Sequence, residues 1–187
     1  MIWDVPSPKG RASAVSPADS AWEALYHRYV RRVLHAATLA AGGSAHDGWD
    51  GVQHAFSRAW LYLTEPGSPP VHNWEAWLRK TAVRHVVQAA QRNARALPVH
   101  PAPDRELGGP LLENWVVVKE EYLGVLKVVA ALPPRQRQAL ALCGIAGCSV
   151  KETAQIMDVR EGTVRSLLSQ ARQALSRGRG EEIGDEY

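Results

Sequence analysis

The stretch EGTVRSLLSQARQAL, residues 161–175, gathers the side chains of this sequence best suited to polar recognition. At helical spacing Thr163, Arg165, Ser166, Ser169, Gln170 and Arg172 cover one side, with scarcely an acid among them. Arginine's planar fork can contact guanine bidentately, glutamine can pair with adenine, and hydroxyls near a helix start reach phosphates or base edges. Val164, Leu168, Ala171 and Leu175 recur at spacings of four, three and four and predict a face buried against preceding helices. Taken alone, the polar side suits a solvated surface as well as it suits DNA. The residues before it tip the balance. Ser149 and Glu152 form an S-x-x-E capping box, the short helix VKETAQIM follows, and only DVRE separates it from residue 162. Two short helices joined by a tight turn, the second amphipathic and basic, have the layout of a helix-turn-helix.

A second set of chemistry-bearing residues lies earlier in the chain. Asn73 can cap a helix whose apolar stripe runs through Trp74, Trp77, Leu78, Thr81, Ala82, His85, Val86 and Ala89. Lys80, Arg84, Gln88, Arg92 and Arg95 lie on its remaining face. The two tryptophans read mainly as core anchors. The basic side, beside the proline-rich loop TEPGSPPVHN at 64–73, suits single-stranded DNA: cations follow the backbone while a pocket accepts an unstacked base. A further helix from about Asp50 carries Val52, Phe56, Trp60 and Leu63 on one stripe and Gln53, His54, Ser57 and Arg58 on the other.

These faces need a scaffold, and the apolar periodicity predicts one made only of helices. Pro17, Asp19 and Ser20 announce a helix through Trp22, Leu25, Tyr26, Tyr29 and Val33 that should end at Gly42 and Gly43. The segment ALPVHPAPDRELGGP at 96–110 breaks regular structure and separates two helical halves. Beyond it a helix is expected over 115–131, through Tyr122, Leu126 and Val129, and another from Pro134 with Gly144 as its stop. No strand-like alternation occurs. The expected fold is all-α: a disordered leader at 1–19, a helical domain at 20–95, a flexible linker at 96–114, a helix-turn-helix domain at 115–178 and a tail at 179–187.

Composition narrows the function classes. The 187 residues are 45% hydrophobic and 22% charged with a net charge of +3, which tolerates a polyanionic partner without requiring one. Cys143 and Cys148 supply neither a disulfide framework nor zinc-ligand spacing and are expected as free thiols. Seven histidines lack ligand spacing, so no metal is expected. A phosphate-cradling glycine loop, a nucleophile elbow and a paired-carboxylate constellation are all missing, so neither an enzyme nor a cofactor is expected. No uninterrupted apolar stretch of about 18 residues occurs, and the first residues lack a charged start followed by an apolar run. The expected location is the cytoplasm, with no membrane contact.

In this order and with this gap, the two halves resemble a bacterial sigma factor of the sigma-70 family, in its small extracytoplasmic-function (ECF) group. ALPPRQRQALAL followed by SVKETAQIMDVREGTVRSLLSQARQAL is similar to that family's L-P-x-x-x-R, capped helix, G-T-V-K/R-S and A-R-x-x-L. DGVQHAFSRAW at 50–60 resembles its region 2.2, and WLRKTAVRHVV the helix through regions 2.3 and 2.4. The resemblance implies that residues 20–95 act as region 2 and 115–178 as region 4. Asp50, Gln53, His54, Ser57 and Arg58 would then contact the clamp helices of the polymerase β′ subunit. The 64–73 loop with Asn73 would hold a flipped base of the melted −10 element, and Lys80, Arg84, Gln88 and Arg92 would guide the strand. Thr163, Arg165, Ser166, Ser169, Gln170 and Arg172 would read the −35 duplex while the first helices of region 4 engage the β flap. Whether an anti-sigma factor holds the protein inactive stays open. The alternative is a helix-turn-helix regulator whose first half is a sensor or dimerisation domain.

Overall fold

The computed structural model describes residues 16–95 and 127–182, so the expectations for the leader before residue 16, for the linker and for most of the 115–131 helix lie outside the described residues. Among the described residues six helices follow one another: α1 Pro17–Ala40, α2 Ala45–Thr64, α3 Trp74–Arg95, α4 Pro134–Leu140, α5 Val150–Met157 and α6 Glu161–Glu182. A helical turn at 127–131 precedes α4, and no strand occurs among the described residues.

Each start has a local cause. Ser16 and Asp19 form a reciprocal capping box around Pro17, so α1 begins inside the segment read as leader. It ends at Ala40, and Gly42 and Gly43, at φ 72° and 94°, take the left-handed conformation that lets the chain reverse. The Ser44 hydroxyl accepts the Asp47 amide at 3.2 Å, so α2 starts at Ala45 rather than near Asp50. Its first turns contain Gly48 and Gly51, poor helix formers that hide the start in the sequence.

In the fold those glycines mark the closest helix crossings. A Cβ at Gly48 would lie 2.4 Å from Thr38 Oγ1, and one at Gly51 would lie 2.8 Å from Val86 Cγ2 and 3.2 Å from the Ala82 carbonyl. Ala37 and Ala82 lie against Gly51, and Ala36, Ala40, Ala55 and Ala59 are buried in the same core, which lets α1, α2 and α3 pack tightly as a three-helix unit. Leu78, Val83 and Val87 fill its centre.

In the second half α4 continues into a widened π turn at Ala141–Ile145, in which the Ala146 amide bonds to the Ala141 carbonyl at 2.9 Å. Gly144 therefore lies within the helical run and is not its stop. Gly147, at φ 69°, makes the exit. The Ser149–Glu152 capping box opens α5 over the expected residues 150–157. Asp158 ends it in a left-handed conformation at φ 55°, and α6 restarts at Glu161, within the expected connection. The helix then runs to Glu182, past the expected start of the tail.

The two halves share one buried cluster that extends from Val33 and Phe56 to Leu142, Met157 and Val164. Full burial of an aliphatic side chain such as Leu78 or Leu142 stabilises by about 1.5–3 kcal/mol relative to exposure. Two polar contacts mark the seam. Lys80 Nζ on α3 lies 2.5 Å from Glu152 Oε1 on α5. Arg137 on α4 lies under Gly42, where a Cβ would meet its Cζ at 2.5 Å. Arg137 also donates to the Ala130 and Leu132 carbonyls, at 2.9 and 3.3 Å.

Candidate nucleic-acid interface

The α5–α6 pair holds one face inward and leaves the other open. Val164, Leu168 and Ala171 are buried, Leu175 is half-buried, and Leu167 on the margin of the stripe packs against the core. All six residues expected to read duplex DNA, Thr163, Arg165, Ser166, Ser169, Gln170 and Arg172, are exposed together along α6. Arg165, Ser169, Arg172, Gln173, Ser176 and Arg177 line a shallow open groove whose charged members are all guanidinium groups. Arg165 is tethered by Glu161 at 2.9 Å, one turn earlier, an exposed pair that a phosphate can replace at little cost. Gln170 is held at both ends: its Oε1 accepts from Gln136 on α4 at 2.9 Å and its Nε2 donates to Ser166 at 3.2 Å.

The basic side of α3 is less open than its sequence suggests. Arg84 and Arg92 are exposed, but Lys80 is engaged by Glu152, and Gln88 and Arg92 line a cleft with Gln155, Ile156 and Asp158 of the second half. The Glu152 carboxyl is held at about 2, well below its ordinary 4.5, first by the hydrogen bond from Lys80 and then by the amide and hydroxyl of Ser149. Asn73 performs the capping role, its Oδ1 accepting the Ala76 amide at 3.0 Å. Trp74 and Trp77 are half-buried core anchors that contact each other at 5.5 Å, and Tyr62 contacts both at 5.9 Å. The Tyr62 hydroxyl donates to the Pro69 carbonyl and so ties the loop to this aromatic group.

On α2, Asp50, Gln53, Ser57 and Arg58 are exposed along one stripe. His54 is half-buried and stacks on His85 of α3, with ring centroids 4.1 Å apart. Burial is the largest cause lowering both imidazole pKa values. His85, Arg58 and Arg92 lower His54 further; Arg92 also lowers His85, against the raising influence of Asp50. Gln53 and Ser57 also border an open groove of about 600 Å³, whose apolar lining is Trp22, Phe56, Trp60 and Leu61. Leu61 is 56% exposed, the one large hydrophobic side chain left so open among the described residues. The helical stripe read from the sequence passed over Leu61, although an apolar residue one turn beyond Ser57 was the available signal. Also passed over was the grouping of His46 and Asp47 with Asp50, each of which brings one ligand-type atom within 4.8 Å of the others. No helix among the described residues is long and apolar enough to cross a membrane.

Comparison with known proteins identifies the family. Residues 122–175 match the family model for sigma-70, region 4. The chain is 30% identical over 191 residues to the ECF RNA polymerase sigma factor SigE of Mycolicibacterium smegmatis, an alignment covering 92% of this chain and 69% of that protein. It is 31% identical over 134 residues to the ECF RNA polymerase sigma-E factor of Escherichia coli K12, covering 67% of this chain and 70% of that one. Among solved structures it resembles the sigma factor RpoE in its complex with the anti-sigma factor NepR from Bartonella quintana, at 21% identity and TM-score 0.48, over 86% of this chain and 98% of that one. With relatives matched along most of their length, and region 4 falling on the helix-turn-helix that the residues themselves describe, this protein belongs to the ECF RNA polymerase sigma factors.

Proposed function

We propose that this protein binds core RNA polymerase, carries it to promoters by reading a −35 duplex with α6, and holds the melted −10 strand along α3 and the 65–73 loop. The observation that most supports this is the division of α6: Val164, Leu168 and Ala171 are buried in the core while the cationic and amide-bearing side chains from Arg165 to Arg177 are exposed. On α2 the polar stripe from Asp50 to Arg58, continued by Leu61 and its groove, offers the mixed apolar and polar surface that a helical partner on the polymerase clamp requires. Arg84 and Arg92 supply cations for the strand, and Lys80 joins them once Glu152 gives way to a phosphate. Asn73 contributes by fixing the start of α3 beneath the loop. The protein acts by binding alone, in the cytoplasm: contacts to separated bases offset part of an unstacking cost of a few kcal/mol per base.

The test is open-complex formation. Supercoiled promoter DNA is mixed with core polymerase and this protein, and melted thymines are probed with permanganate. Melting should need both components, and Arg165→Ala should weaken −35-dependent initiation while affinity for core stays within about twofold, since each good base contact supplies roughly 1–3 kcal/mol. Sequence-specific duplex binding without core would instead make the protein a free-standing regulator.

A further inference from the structure

From the contacts around Gln170 we infer that Gln136, on the helix before the helix-turn-helix, is a positioning residue that orients Gln170 to select adenine in the −35 element. This rests on the reading of α6 as the −35 reader and names the residue that sets one of its preferences.

A free glutamine on an exposed helix face is a poor discriminator. Its amide can turn over, exchanging donor for acceptor, and each rotamer offers a different pattern to the groove. In this fold two partners restrict that freedom. Gln136 Nε2 donates to Gln170 Oε1 at 2.9 Å, and Gln170 Nε2 donates to Ser166 Oγ at 3.2 Å, one helical turn back. The chain therefore has a direction, from α4 through Gln170 to Ser166. An amide oxygen has two lone pairs and an amide nitrogen two hydrogens, and the network uses one of each. One acceptor and one donor remain on Gln170, and in this arrangement of the bonds they are left for a base. Adenine presents the complement at its major-groove edge, N7 as acceptor and the N6 amino group as donor. Ser166, having accepted, keeps its own hydroxyl hydrogen for a phosphate or a second base.

Gln136 can do this because of where the fold places it. It lies in the first turn of α4, two residues after Pro134, and α4 packs along α6. The two glutamines are 34 residues apart, so the contact exists only in the folded domain. Gln136 is half-buried and Gln170 exposed, so the anchor sits nearer the core and the reader nearer the groove.

The experiment uses holoenzyme assembled from core polymerase and the full chain, selecting from promoter DNA in which every −35 position is randomised. The native protein should show one position with an adenine preference of about 5- to 150-fold, the range expected for a bidentate contact. Gln170→Ala should flatten that position and no other. Gln136→Leu should reduce the preference at the same position about 2- to 10-fold, the scale of one hydrogen bond, with its thermal midpoint unchanged. Gln136→Glu is the decisive variant, since a carboxylate only accepts: it must turn the Gln170 amide over and change which base is chosen there. If Gln170→Ala alters the profile while both Gln136 variants leave it as in the native protein, the positioning role is wrong and the −35 reading survives. If Gln170→Ala weakens all sequences equally, Gln170 touches only backbone and the inference falls. If neither Gln170→Ala nor Arg165→Ala changes any position, the reading of α6 itself fails.

Discussion

Breaking the Lys80–Glu152 contact tests how firmly the two halves are held together. Glu152 serves two masters: it closes the capping box of α5 and it receives Lys80 of α3. The roles separate by choice of substitution. Gln at this position still completes a capping box, so Glu152→Gln removes the charge and spares the cap, whereas Glu152→Ala removes both. The side chains of Lys80 and Glu152 are 39% and 45% exposed, so solvent screens the pair and its coupling should be about 0.5–1 kcal/mol, the upper part of the surface range. Loss of the cap adds roughly 0.5–2 kcal/mol. Urea unfolding of the full chain, followed by circular dichroism, should therefore rank Lys80→Met and Glu152→Gln as mild and nearly equal, and Glu152→Ala as worse. The double variant Lys80→Met with Glu152→Gln should cost less than the sum of its parts by the coupling energy. The pH dependence has a fixed sign. The folded carboxyl titrates at about 2 against an ordinary 4.5, so its contribution is complete above 4.5 and disappears as the pH falls from 4.5 towards 2. A coupling below about 0.2 kcal/mol at neutral pH, or one that grows on acidification, would refute the reasoning that this ion pair ties the halves together.

Gly51→Ala should lower the melting temperature by several degrees, because overpacking costs of about 1–3 kcal/mol exceed the helix-propensity gain of roughly 1 kcal/mol. Gly162→Ala, where a Cβ meets nothing within 4 Å, should hold or raise it, and differential scanning calorimetry separates the two. Leu61→Asp and Gln53→Ala should each weaken binding to core polymerase in a pull-down or fluorescence titration, Leu61→Asp more strongly, with the unfolding midpoint unchanged. A thiol-reactive dye should label half-exposed Cys143 in the native protein and leave Cys148 silent until unfolding, since burial both shields that thiol and raises its pKa. Equal labelling rates would show that the seam between the halves opens readily.

Much of this protein is local and was therefore readable along the chain. The capping box at Ser149 and Glu152, the α5–α6 turn and the two-sided character of α6 depend on residues within a few positions of one another, and all were legible as sequence pattern. Asn73 as a cap belongs to the same class. The start of α2 was not legible, because Gly48 and Gly51 lower helix propensity locally and are explained only by the distant backbone and side chains of α1 and α3 that they let approach. Gly144 misled for the mirror reason: a glycine near an expected helix end looks like a stop, but the positive φ falls on Gly147.

The candidate surfaces divide in the same way. Sequence alone determined which side chains are cationic or amide-bearing and on which helix face they fall, since helical periodicity is an intrachain property. Only the tertiary structure decided which of them are free. Lys80 meets Glu152 across 72 positions, His54 stacks on His85 of a neighbouring helix, and Gln170 is oriented by a glutamine 34 residues away. Periodicity can say that a residue points outward. Whether it meets solvent or another part of the chain depends on how the helices pack, and that is set by long-range burial, which no local spacing records.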